Sequence, residues 1–384
     1  MKKLFSLILF FIMITSGLNT FAINVFAIES ANPQIMAKSA YLMDYNTGTV
    51  IFEQDSEKHL PIASMVKIMT LLLAYEQIDK QTFLLDQEII VSENASAMGG
   101  SQVFLDANAG YKLEDLLKSI VVASANDASV AVAEAISGSE ESFVALMNQK
   151  AAELGMKNTN YTNCSGLPSA NQYSCVKDVS LAMQKLLNYP HYFTLSKIWL
   201  EDLTHPSGRK TELTNTNKLV RFYKGCDAGK TGSTNEAGFC VSASALKNGM
   251  RLIATVAGSS NSKERFATAS NLFNYGFANY ENKLVLQAMS PLNDKLRVSG
   301  SKQKEIAVAA EQNYYALSKK GDKAEYTINY EIGNKIKAPI KAGESVGKVV
   351  IIKDSTVVFE TPIIALQNAE KQTLLDTIKE IFGA

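Results

Sequence analysis

The chain has 384 residues, enough for two domains with substantial cores. Its 38 basic and 38 acidic side chains cancel, so no excess of positive charge points to nucleic acid. The first residues read as an export signal. Lys2 and Lys3 precede the apolar run from Leu4 to Ile14, and small residues follow in Val25-Phe26-Ala27, with Ala22 as an alternative cleavage point. That apolar run is too short to span a bilayer comfortably, so residues 1–27 are expected to be a signal peptide of an envelope protein acting at the outer face of the cytoplasmic membrane.

The segment from Tyr41 to Phe52 alternates around Asn46-Thr47-Gly48 and reads as a β-hairpin. Helices are expected over 64–78, from Leu113 to Val122, from Asp127 to Ile136 and from Glu141 to Leu154. Phe239 to Ala245 and Leu252 to Val256 read as strands. The pattern turns to β after Ser290-Pro291: Tyr326, Ile328, Tyr330 and Ile332 alternate with polar residues, and Val349 to Ile352 is β-branched. The expected division is therefore a signal over 1–27, a mixed domain over 28–289, a small β-rich domain over 290–365 and a terminal amphipathic helix over 366–384. In that last segment, which runs from Asn368 to Ala384, Leu374, Leu375, Ile378, Ile381 and Phe382 share one helical face. The face suits either peripheral contact with a membrane or packing on its own domain.

Four cysteines, Cys164, Cys175, Cys226 and Cys240, have no zinc-site spacing. In an exported protein they allow two disulfides or four free thiols. Cys226 and Cys240 are equidistant from residue 233, so a turn at Ser233-Thr234-Asn235 would bring them opposite each other, leaving Cys164 with Cys175. His59, His191 and His205 are scattered and are read as packing or surface residues. No metal site, nucleotide loop or internal repeat is present in the pattern.

Three short motifs in one order carry the chemistry: Ser64-Met65-Val66-Lys67, Ser124-Ala125-Asn126 and Lys230-Thr231-Gly232. Each alone is weak, because the pattern S-x-x-K recurs, as at Ser174 and Ser207. Only the copy at Ser64 opens a long apolar segment, Ile68 to Tyr75, fit to be a buried helix. Spacing of three puts Lys67 beside Ser64 on one helical face. A serine hydroxyl needs a base, and a lysine can serve where burial and a neighbouring cation lower its pKa. Lys230 is expected to be that neighbour, and the helix N-terminus would favour a developing oxyanion.

The motif set is that of penicillin-binding proteins and class A β-lactamases. The chain resembles the low-molecular-mass penicillin-binding proteins of the D-alanyl-D-alanine carboxypeptidase type. The resemblance extends over most of residues 35–285, through Gly99-Gly100-Ser101, Gly166-Leu167, Asn215-Thr216-Asn217 and Gly249-Met250-Arg251. It implies an α/β fold, a penicillin-recognising domain whose antiparallel sheet is flanked by helices, with a small β-rich C-terminal domain. It implies Ser64 as nucleophile, Lys67 as base and Ser124 as proton relay. Asn126 would hold the substrate amide, Lys230 and Thr231 would line the far wall, and Gly232 would let substrate lie close. The backbone N–H groups of Ser64 and Ser233 would form the oxyanion hole, and Arg265 would grip the substrate carboxylate unless it is a solvated surface residue. Asp127 is read as a helix cap and Arg251 as structural. The expected substrate is the peptidoglycan pentapeptide stem, with β-lactams as covalent inhibitors and no cofactor.

Two other readings share these motifs. A class A β-lactamase needs a glutamate between the second and third motifs, yet residues 155–185 contain none. A penicillin sensor or scaffold without catalysis would not need the intact set of Ser64, Lys67, Ser124 and Lys230.

Overall fold

The computed structural model describes residues 32–374 and 376, apart from 294, 334 and 335. The expected signal peptide lies outside the described residues. At the centre is a five-stranded antiparallel sheet. Its strands are β1 (Ser39–Asp44), β2 (Val50–Gln54), β3 (Cys226–Thr234), β4 (Gly238–Lys247) and β5 (Met250–Ser259), in the spatial order β2-β1-β5-β4-β3. β1 and β2 form the hairpin expected around Asn46-Thr47-Gly48.

The sheet is buried on both faces, and the period of two sorts its residues between two cores. On one face Ala40 and Leu42 of β1 join Leu252, Ala254 and Val256 of β5. On the other, Tyr41 and Met43 join Ile253 and Ala257. Helix α6 (Ser262–Asn279) covers the first face with Ala269, Leu272 and Phe273. Asn261 caps it by accepting from Glu264 N at 3.0 Å. Helix α5 (Val176–Leu186) covers the second with Val179, Ala182 and Met183. Beyond α5 lies α1 (Lys67–Asp79), buried continuously from Lys67 to Tyr75. A helix that is apolar all round belongs in such an interior position. α2 (Leu113–Val122), α3 (Asn126–Ser137) and α4 (Glu140–Glu153) complete this layer, within a residue or so of the expected bounds.

The expected helix over 64–78 is divided. Ala63–Val66 is a 3-10 turn and the α-helix begins at Lys67. Ala63 has φ +47, in the left-handed region, which breaks the regular helix before it reaches Ser64. The Lys-Thr-Gly motif precedes the expected strand, β4, and itself lies on a further strand, β3, that was not among those expected.

The β-rich region begins at the end of α6. There β6 (Tyr280–Leu286) pairs with β8 (Tyr314–Lys319), ahead of the Ser290-Pro291 division. A four-stranded antiparallel sheet follows, in the order β7 (Val308–Ala310), β11 (Thr356–Ala365), β10 (Ser345–Lys353) and β9 (Tyr326–Ile332). Ile306, Val308, Val349, Ile351 and Ile363 form its separate core. The start of the expected terminal helix is extended instead. Ala369 is buried and exchanges backbone hydrogen bonds with Ile340, and Lys371 bridges to Ser301. A helical turn opens only at Leu374, where Thr373 and Asp376 cap each other. The rest of that helix lies outside the described residues.

The cysteine pairing is overturned. All four thiols are free and buried. In the β3–β4 hairpin Cys226 lies opposite Ala245 and Cys240 lies opposite Gly232. The turn falls two or three residues later than a centre at 233 requires, so the two cysteines sit at different heights on the hairpin.

Candidate active site

Two glycines hold the turn that carries Ser64. A Cβ on Gly232 would lie 2.7 Å from Ile62 O, 2.8 Å from Ser64 N and 3.0 Å from Met65 N. Gly232 therefore allows close approach of β3 to the Ser64 backbone. Gly166 sits on the same turn. It has φ +82, and a Cβ there would collide with the Ala63 carbonyl and reach 2.9 Å from Ser64 N. Only glycine tolerates both the conformation and the contact.

Lys67 opens α1 and is fully buried. Its Nζ donates to Ser64 Oγ at 3.1 Å, to Asn126 Oδ1 at 2.6 Å and to the carbonyl of Ser165. Burial pulls its pKa from 10.5 down to about 7. The expected help from Lys230 is not among the causes. The influence runs the other way: burial first, then the charges of Lys67 and Arg265, hold Lys230 well below its ordinary range.

Ser124 precedes α3 with φ +63, a sparsely populated conformation for a residue with a side chain. Its hydroxyl accepts from Lys230 Nζ at 2.7 Å. Lys230 also donates to Thr231 O at 3.0 Å, and Thr231 Oγ1 donates to Thr216 Oγ1 at 2.9 Å. Asn126 stands between the motifs, with Oδ1 on Lys67 and Nδ2 donating to Gly99 O at 2.7 Å. Ser233 is exposed at the end of β3, the edge strand.

Arg265, on α6, is buried rather than solvated. Its Nη1 donates to Gly232 O and Cys240 O, both at 3.2 Å, and its Nη2 to Ser262 Oγ at 3.2 Å. The guanidinium thus underlies the strand that carries Lys230 to Gly232, and its Nε finds no partner among the described residues. Burial lowers its pKa to about 10. Asp127 is not the expected cap: Ala125 holds the N-cap position, and Asp127 lies in the first turn of α3. It accepts from Val103 N (3.0 Å), Leu105 N (3.2 Å) and Ala128 N (2.9 Å), tying the loop after Ser101 to α3. Arg251 is structural, as expected, paired with Asp227 at 2.7 Å. The histidines lie elsewhere: His59 against Asn158, His191 against Glu114 and His205 against Tyr111.

Three backbone contributions escaped sequence reasoning. The Ser165 carbonyl receives Lys67, the Gly99 carbonyl orients Asn126, and the Ser101 carbonyl accepts from Asn126 N at 2.7 Å. Their only trace in the sequence was the runs Gly99-Gly100-Ser101 and Gly166-Leu167. The resulting arrangement is a hydroxyl beside a buried, partly neutral amine, with a second hydroxyl held by a second lysine. It can accept and return a proton without histidine or metal.

Residues 26–261 match the family model described as D-alanyl-D-alanine carboxypeptidase. The chain belongs to that family. In this family member the matched region carries all three motifs, and Arg265 lies just past its end. Residues 280–371 match the model for the C-terminal domain of penicillin-binding protein 5. The chain is 38% identical to D-alanyl-D-alanine carboxypeptidase DacF of Bacillus subtilis (strain 168), over 100% of this chain and 98% of the relative. It is 32% identical to D-alanyl-D-alanine carboxypeptidase DacA of Haemophilus influenzae, over 83% and 81% of the two chains. Among solved structures it resembles penicillin binding protein 5 from Haemophilus influenzae, with TM-score 0.70, 29% identity, and 89% and 99% of the two chains covered.

Proposed function

We propose that Ser64 is the acylated nucleophile of this serine-type D-Ala-D-Ala carboxypeptidase, with Lys67 as its base. The contact that carries the proposal is Lys67 Nζ to Ser64 Oγ at 3.1 Å, made by an amine whose pKa burial has lowered to about 7. At neutral pH about half of such amines are free to take a proton.

Ser64 Oγ attacks the carbonyl between the two D-alanines, and its proton passes to Lys67. Ser124, held by Lys230, relays a proton to the leaving amine as the C–N bond breaks. Terminal D-alanine departs and an ester remains on Ser64. Water then attacks the ester, gives a proton to Lys67, and Ser64 regains its hydroxyl hydrogen. The Ser64 and Ser233 N–H groups serve the oxyanion. Asn126 steers the substrate amide, and Lys230, Thr231 and Arg265 receive the terminal carboxylate. An arriving carboxylate favours the charged form of Lys230, which burial disfavours in the free site. A β-lactam enters the same path, but its leaving nitrogen stays tethered, so the adduct persists.

The lack of any glutamate in residues 155–185 supports slow release of that adduct rather than β-lactamase activity. The Lys2-Lys3 and apolar start supports export over 1–27, and the apolar face from Leu374 to Phe382 supports contact with the outer membrane face of the cytoplasmic bilayer. The test is release of D-alanine from diacyl-L-Lys-D-Ala-D-Ala. Wild type should release it and Ser64→Ala should not. A wild-type protein that hydrolyses penicillin rapidly and leaves the peptide intact would contradict the proposal.

A further inference from the structure

Beside the nucleophile lies a second feature, a cavity of about 130 Å³. It is well below the ~300–1,000 Å³ of drug-sized sites and suits one side chain. Ala63, the residue before Ser64, lines it. Pro61, Leu167 and Pro168 give apolar walls, and Thr234 and Glu236 stand on the side where β3 ends. Glu236 is exposed, and among the described residues no hydrogen bond or ion pair engages its carboxylate.

The direction of a bound peptide follows from the sheet. β3 is the terminal strand, and a peptide that adds to such an edge pairs with it by backbone hydrogen bonds. With its carboxylate among Lys230, Thr231 and Arg265, an antiparallel peptide runs past Ser64 and Ser233 toward Thr234 and Glu236. The residue before D-Ala-D-Ala then reaches the cavity. A side chain with an apolar stem and a charged end matches apolar walls that finish at a carboxylate.

We infer that this cavity takes the side chain of the residue preceding D-Ala-D-Ala and that Glu236 selects a free ammonium at its end. The inference rests on the carboxypeptidase reading and adds a determinant of which stem peptides are cleaved. Stems with an unmodified diamino acid are preferred over those whose side-chain amine is absent.

The test compares acetyl-L-Lys-D-Ala-D-Ala with its norleucine counterpart, which keeps the methylenes and lacks the ammonium. In wild type kcat/KM should favour the lysine peptide by about twofold to fivefold, the range of an exposed ion pair. Glu236→Gln should bring the ratio to about one, and Glu236→Lys should invert it. Labelling of Ser64 by penicillin in each variant confirms that the site is folded. Equal wild-type rates for the two peptides, or a preference that survives Glu236→Gln, would overturn the inference. If wild type cleaves neither peptide, the reading of the whole site fails and the inference falls with it.

Discussion

Acylation should depend on pH through Lys67, and the structure sets where. Its pKa falls from 10.5 to about 7 because the ammonium is fully buried. At about 1.4 kcal/mol per pH unit, that is about 5 kcal/mol of discrimination against the charged form. An ordinary lysine would be neutral in roughly one molecule in several thousand at pH 7, so burial supplies the base about a thousandfold more often. The rate of acylation by a fluorescent penicillin should rise through pH 7 and level off near pH 8.5. At pH 5.5 it should be about thirtyfold below that plateau, following the neutral fraction. The same group links pH to stability. Between pH 7 and 10.5 the unfolded chain holds a proton on Lys67 that the folded chain has lost, so this residue makes stability increase with pH across that window. Rates are measured in single turnover, with circular dichroism at each pH to confirm the fold. A flat profile from pH 5.5 to 8.5, or a rise centred above pH 9, would refute Lys67 as a base tuned by burial.

Arg265→Ala should raise KM for the peptide about tenfold to a hundredfold, the range for a lost charge-assisted hydrogen bond. Penicillin acylation of Ser64 should slow much less, and equal peptide kinetics in mutant and wild type would remove Arg265 from the site. Gly166→Ala should destabilise the protein by about 1–3 kcal/mol, because the methyl meets the Ala63 backbone. Gly208→Ala is the control in thermal melts: it shares φ +82 but has open space around it, so its melting temperature should fall less.

The side chains of the site were legible because their chemistry is local. Ser64, Lys67, Ser124 and Lys230 are residue types that suit a nucleophile, base or relay, and the copies singled out by their order along the chain are ones the structure brings into contact, Lys67 with Ser64 and Lys230 with Ser124. Helices such as Leu113–Val122 were legible from apolar periodicity. Backbone contributions were not. The Ser165 and Gly99 carbonyls carry no residue-specific signal, and what places them is conformation, including φ +63 at Ser124 and +82 at Gly166. The hairpin register was also hidden. Counting from Cys226 and Cys240 to a common centre assumes that the turn falls at 233, but Thr234 pairs with Gly238, which centres it on 236 and sets Cys226 opposite Ala245. The position of the turn fixes every pairing in the hairpin, and equal spacing of two cysteines does not reveal it. The expected terminal helix failed at its start because Ala369 is drawn into a strand pairing with Ile340, a long-range contact that helical periodicity cannot reveal.

The central claim is that Ser64 is the acylated residue. The most direct measurement is peptide mapping by mass spectrometry after reaction with penicillin. The expected result is one equivalent of adduct on the tryptic peptide His59–Lys67, absent in Ser64→Ala; in Lys67→Ala, where the next cleavage falls after Lys80, the adduct on the longer peptide His59–Lys80 should drop to background. An adduct on any other serine, or a folded wild-type protein that takes up none, would contradict it.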